Sequence, residues 1–338
     1  MTLTDADESL HRPPGDTDGH WQENLFFICW DTVALDGLMM HIQRVPGRQV
    51  QEARIAVALG GQHASATLTG PFADDATVDG VTVDIAEPWR RIDIRLAFDA
   101  AAGCGPGGFI AAYPGGAVRV AVDIELESDL EPVDFAPALA RMTSRMRADA
   151  SAPQMGDQQH YEQGGRWRGT ITIGDRHEEC AGLFVRDHSW GERHEHNDFR
   201  AFWTATCLDD GRVFANAIGI PSSEGVVGIG AIADADGVRF TEQVAAAFAP
   251  QPGLTTFDRV TVGYGAGIDT EIRGWAQLHW PMYLPFSGRH RYDDNALCIA
   301  EGPAGTGFAV MEWAATLDPA MSDALDAAAG PAAAGWLS

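Results

Sequence analysis

Lysine is absent from this 338-residue chain: all 23 basic side chains are arginines, set against 48 acidic ones, for a net charge of -25. A surface this acidic repels polyphosphate backbones and anionic lipid, so nucleic acid and charged membranes are not expected partners. No run of about 20 apolar residues is available to cross a bilayer, so no integral membrane segment is expected. The start, Met1-Thr-Leu-Thr-Asp-Ala-Asp-Glu8, lacks the basic and apolar regions of a secretory signal, and a cytoplasmic location is expected. Cysteine is scarce. Cys29, Cys104, Cys180, Cys207 and Cys298 are odd in number and never form a Cys-x-x-Cys pair, which argues against a disulfide framework or a zinc knuckle. Also missing are a glycine-rich turn leading from a strand into a helix, a phosphate loop and a Gly-x-Ser-x-Gly elbow. Their absence argues against nucleotide-dependent redox chemistry and against a serine hydrolase.

What the chain has is strand after strand. Hydrophobic residues make up 45% and charged ones 21%, a globular composition long enough for one large or two medium domains. Residues 92–98 and 118–127 alternate strictly between apolar and polar, and residues 25–30 form an unbroken apolar run. A period of two places one set on each face of a sheet. Residues 135–150, rich in alanine and arginine, are the one good helix candidate in the middle of the chain. The expected fold class is all-β, with two β halves joined by a short helical linker. The boundaries read as a flexible tail over 1–19, a first β domain over 20–130, a linker over 131–163, a second β domain over 164–318 and a terminal tail over 319–338.

Chemistry concentrates in residues 182–193. The apolar run Leu183-Phe184-Val185 stops at Asp187-His188-Ser189-Trp190-Gly191, which brings a carboxyl, an imidazole, a hydroxyl and an indole into five positions. A carboxyl group in an apolar pocket is harder to ionise and can hold a proton for delivery to a substrate. Aromatic side chains at Trp167, Trp190, Trp203, Trp275, Trp280 and Tyr283 are available to wall such a pocket and to face a developing cation. Glu23 either reaches the same cavity as a buried acid or is a solvated strand end. If Arg193 pairs with Asp187, the constellation is a structural clamp. His188, His194 and His196 suggest a metal site, but histidines in a polar turn are more commonly solvated. No metal is expected. Ser189 beside Asp187 and His188 carries a hydrolase poorly, because neighbours on a strand face opposite ways.

The stretch Val185-Arg186-Asp187-His188-Ser189-Trp190-Gly191-x-Arg193, with Trp21-x-Glu23-Asn24 and Trp167-x-Gly169 upstream, resembles the Asp-His-x-Trp-Gly signature of the lipocalin-like family that includes AttH proteins and the carotenoid hydratases (hydroxyneurosporene synthases). Diels-Alderase-type pericyclases and some terpenoid cyclases are similar in fold. The resemblance implies two tandem lipocalin-like, calycin-like antiparallel β-barrels and no cofactor. It implies a hydratase, cyclase or isomerase acting on a hydrophobic isoprenoid or polycyclic small molecule. Asp187 would be the proton donor, with His188, Trp190 and Arg193 shaping the catalytic site and Glu23, Trp167, Trp203, Trp275, Trp280 and Tyr283 contacting the substrate. One departure is Val185, where the hydratases carry an aromatic residue. The other outcome compatible with the same pocket is a carrier or pericyclase-type scaffold without acid chemistry.

Overall fold

The computed structural model describes residues 3–13, 15, 21–73, 78–102, 116–146, 158–192, 200–222, 225–250, 257–286 and 289–316. The first sheet is built from β1 (Trp21–Asp31), β2 (Asp36–Val45), β3 (Val50–Leu59), β4 (Gln62–Pro71), β5 (Val81–Glu87), β6 (Arg91–Ala102), β7 (Ala117–Glu127), β8 (Val133–Asp134), β9 (Gln158–Ile173) and β10 (Arg176–Glu192). The second is built from β11 (Arg200–Leu208), β12 (Val213–Ser222), β13 (Gly225–Asp234), β14 (Gly237–Thr241), β15 (Val244–Pro250), β16 (Phe257–Tyr264), β17 (Thr270–Phe286), β18 (Arg289–Gly302) and β19 (Gly305–Thr316). Helix α1 (Ala136–Met146) lies between β8 and β9.

Every pairing is antiparallel. The first sheet runs β10-β1-β2-β3-β4-β6-β7-β9 and closes on itself where β9 pairs β10, with β5 and β8 attached outside that path. The second runs β14-β13-β12-β11-β19-β18-β17-β16-β15 and curls until β15 meets β12 and β13. The architecture is therefore two tandem barrel-like antiparallel sheets, as the strand pattern and the resemblance imply.

Two expected boundaries move. Strands β9 and β10, which the sequence reading assigned from residue 164 to the second half, are wall strands of the first barrel. The polar run after the helix looks like a domain connection, yet the chain returns to complete the sheet it had left. The expected tail over 1–19 is ordered at residues 3–13, where Asp5–Glu8 forms a 3-10 turn and Asp7 and Glu8 are buried. The C-terminal tail lies outside the described residues.

Alternation explains the cores. On β1, Leu25, Phe27 and Cys29 point into the first barrel, while Phe26, Ile28 and Trp30 point out against the second sheet. A strand buried on both faces reads as a continuous apolar run, which is why residues 25–30 show no polar alternation. A separate core fills the second barrel around Phe202, Val260, Val262 and Met311. Helix α1 buries Ala138, Leu139 and Met142 in the layer between the sheets, at the spacing of one helical face.

Barrel closure depends on a close approach at Gly182. A Cβ there would collide with the carbonyl oxygen of Trp30 and stand 2.9 Å from Trp167 Nε1, and backbone at a sheet seam cannot move aside cheaply. The substitution Gly182→Ala is expected to cost about 1–3 kcal/mol, read as a lower midpoint in urea unfolding with an unchanged slope.

Candidate functional site

The signature strand β10 presents different chemistry on its two faces. Arg186, His188 and Trp190 continue the row of Phe184 into the first barrel, where Phe184 joins the apolar core. They meet Glu23 of β1, Arg44 of β2, and Tyr161 and Gln163 of β9. The Tyr161 hydroxyl lies 3.0 Å from His188 Nδ1, and His188 Nε2 lies 2.9 Å from Glu23 Oε1. That oxygen also accepts the backbone N–H of His11 at 2.9 Å and stands 2.8 Å from His11 Nδ1. The other Glu23 oxygen is bound by Arg44. Above them the His11 ring stacks on Trp190 with centroids 3.8 Å apart and planes 13° from parallel. Arg186 forks onto both Glu8 oxygens at 2.9 and 3.2 Å and onto Gln163 Oε1 at 2.6 and 3.1 Å.

Burial pushes the Glu23 carboxyl up, but hydrogen bonds from His11 and His188 and the charge of Arg44 outweigh it and hold the group at about 2. Burial lowers His188 despite its bond to Glu23, and raises Tyr161 well above the usual phenol range. A neutral His188 therefore takes its Nδ1 hydrogen bond from the tyrosine O–H and donates Nε2–H to Glu23. Ligand atoms of His11, Glu23 and His188, one from each, lie within 4.8 Å of one another, so these three could hold a metal ion. As they stand, the groups are engaged with one another and with the chain's own N-terminal segment.

Asp187 lies on the other face. It is half-buried, and its register partners are Phe26 on β1 and Glu162 on β9. The two carboxyls are thus direct cross-strand neighbours, whose Cβ atoms in such a pair stand about 5 Å apart. Glu162 is fully buried. Trp203 Nε1 donates to its Oε1 at 2.8 Å, Asn216 Nδ2 donates to its Oε2, and His160 Nε2 stands 2.9 Å from Oε1. Burial raises Glu162 well above the usual carboxylate range, outweighing both donors. Phe26 and Trp203 lie 5.8 Å apart beside the pair, and the His41 ring stands edge-on to Phe26. Glu162 thus lies in an aromatic layer between two sheets with Asp187 as its cross-strand neighbour, and burial favours its protonated form.

The structure brings only part of the expected constellation together. Trp203 reaches Glu162, the cross-strand neighbour of Asp187, whereas His188, Trp190 and Glu23 are on the far side of the wall. Trp167 is sealed in the first barrel's core, Trp280 packs edge-on to Trp30 at 5.6 Å, and Trp275 is 36% exposed. Arg193, His194 and His196 fall outside the described residues, and at Tyr283 only the backbone is described. Glu162, His160 and Asn216 were missed by sequence reasoning. The first two sit in the polar stretch before Gly164-Gly165 that resembles a linker. Two open clefts lie at turn ends, one of about 870 Å³ beside Tyr264 and Arg273 and one of about 1170 Å³ beside Gly61 and Arg176.

Among solved structures, the chain is similar to an AttH from Nitrosomonas europaea, at 14% identity and a TM-score of 0.59, covering 90% of this chain and 96% of that one. It also matches CghA at 10% identity and a TM-score of 0.47, over 88% of each chain. A search of curated proteins finds no match. A family model described as Domain of unknown function (DUF7064) matches residues 4–316.

Because Glu23 titrates lower in the folded chain than its ordinary 4.5, the unfolded chain takes up this proton first, so folding loses stability as the pH falls from about 4.5 to about 2. The stability difference between wild type and Glu23→Gln is expected to shrink by about 3 kcal/mol across that window. Urea unfolding at several pH values checks it, and a constant difference would contradict the assignment.

Proposed function

Because the chain belongs to the DUF7064 family, whose description assigns no reaction, we propose from the site itself that the protein is a cofactor-independent acid–base enzyme. Its substrate is a hydrophobic isoprenoid or polycyclic small molecule bearing an alkene. The observation that carries this reading is the cross-strand pair Asp187 and Glu162, with Glu162 bound by Trp203 and Asn216 and pushed toward its protonated form by burial. Asp187, the less buried of the two, delivers its proton to an alkene carbon. The π electrons form the new C–H bond and leave a carbocation, which the faces of Trp203 and Phe26 shield. Water adds to the cation and its surplus proton returns to the Asp187 carboxylate, giving hydration; attack by an internal alkene closes a ring and relocates the cation, and loss of a neighbouring proton to the same carboxylate ends cyclisation or isomerisation. Glu162, pushed toward its protonated form, keeps a second proton beside Asp187. His188 and Trp190 act from behind the strand, holding its register.

A second reading has its own support: both Glu162 oxygens are already engaged across the sheet boundary, as suits a structural clasp in a carrier or a pericyclase-type scaffold. Incubation of a terpenoid and steroid panel in heavy water, followed by mass spectrometry, separates the two. Wild type is expected to incorporate one deuterium, Asp187→Asn to lose about 10²–10⁴-fold in rate, and Glu162→Gln to lose less, at matched circular dichroism. Label-free binding by all three proteins would favour the carrier.

A further inference from the structure

The second barrel contains an Asp–His pair that the proposed reaction does not use. Strand β17 turns Ile272 and Ala276 into that barrel's core, then carries a β-bulge between Ala276 and Leu278. The extra residue reverses the alternation, so Leu278 and Trp280 pack in the layer between the sheets while His279 turns inward, in register with Ala296 of the barrel core. Bulges that re-aim one side chain are concentrated beside binding and catalytic sites. Fully buried Asp294 on β18 takes up the inward ring, its two oxygens 2.9 and 3.1 Å from His279 Nδ1.

With Nδ1–H donated to Asp294, Nε2 remains as an acceptor. It is buried and has no hydrogen-bond partner among the described residues, although leaving a buried polar atom unpaired is unfavourable. Its surroundings are aromatic. Phe257 stands edge-on to the His279 ring at 5.7 Å, and Phe248 links Phe257 at 4.9 Å to Trp313 at 5.4 Å and Phe202 at 6.1 Å.

We propose that this end of the second barrel is a binding site for an apolar, ring-bearing ligand carrying one hydroxyl group, a phenol or a cyclic alcohol, whose O–H donates to His279 Nε2. Asp294 is the positioning residue: it fixes the tautomer and the ring plane. The aromatic side chains receive the ligand's apolar body. The site lies inside the second barrel, whereas Asp187 and Glu162 lie in the layer between the two sheets.

The test compares 2-naphthol with its methyl ether and with naphthalene, titrated by fluorescence against the full chain. Wild type is expected to bind 2-naphthol at least about tenfold more tightly than the ether, as one buried hydrogen bond would give. His279→Asn keeps a donor toward Asp294 and leaves no acceptor at the position of Nε2, so it should bring the ratio close to one. Asp187→Asn should leave it unchanged. Independently of any variant, the His279 Nε2 resonance in ¹⁵N NMR of wild type should move from an unbonded to a hydrogen-bonded position with 2-naphthol and stay in place with the ether. Equal binding of naphthol and ether, a ratio that survives His279→Asn, an unmoved Nε2 resonance, or no binding of any of the three overturns the proposal.

Discussion

The wall made by β1, the first half of β9 and the second half of β10 is largely buried on both sides, and this constraint governs where the functional side chains of that wall go. One face belongs to the interior of a closed barrel and the other to the layer against a second sheet, so a shift of one residue would exchange two complete sets of side chains. Asp187 and His188 are neighbours in sequence, but they belong to different environments. One stands beside Glu162, Phe26 and Trp203, the other beside Glu23, Tyr161 and Trp190. Because both faces are filled, the wall cannot slip to accommodate a ligand. Any movement at the carboxyl pair must come from the second sheet.

A chain with arginine as its only strong base uses it inside as well as outside. Arg44 and Arg186 are both buried and both meet carboxylates. Arg186 engages Glu8 and Gln163 at once, a pair of directions that the planar fork of a guanidinium satisfies and a single ammonium does not. Buried ion pairs contribute little net stability, because desolvation offsets most of the attraction. Removing one partner leaves the other charged and unpaired. The polar end of the first barrel therefore acts as a specificity device, admitting only an arrangement in which the N-terminal segment, β1, β2, β9 and β10 are all in place.

Much of this was legible from the residues. Strict alternation marks β6 and β7, the unbroken apolar run marks a doubly buried β1, and the residues 182–193 stretch lies where a carboxyl pair is found. The strand period itself separates Asp187 from His188. Partner choice was not legible: a period of two identifies a strand but not its neighbour, so β9 and β10 were assigned to the wrong half. Glu162 was hidden because the first half of β9 is polar and ends in two glycines. The N-terminal segment looked unable to order itself, and by local composition it is. Its order comes from Glu8 meeting Arg186 and His11 meeting Glu23, contacts that no local pattern encodes.

The seam between β1 and β10 joins positions as far apart as Trp21 and Glu192, and Glu8 bonds to a residue 178 positions downstream. Pairing across such a separation carries a large loop-closure entropy before any contact compensates it. A chain emerging from the ribosome would hold the β10 edge of β1 open, with its apolar run paired only to β2, through the synthesis of eight further strands and a helix. The exposure of that edge during synthesis, more than the stability of the finished barrel, would set how much of the protein reaches its folded form.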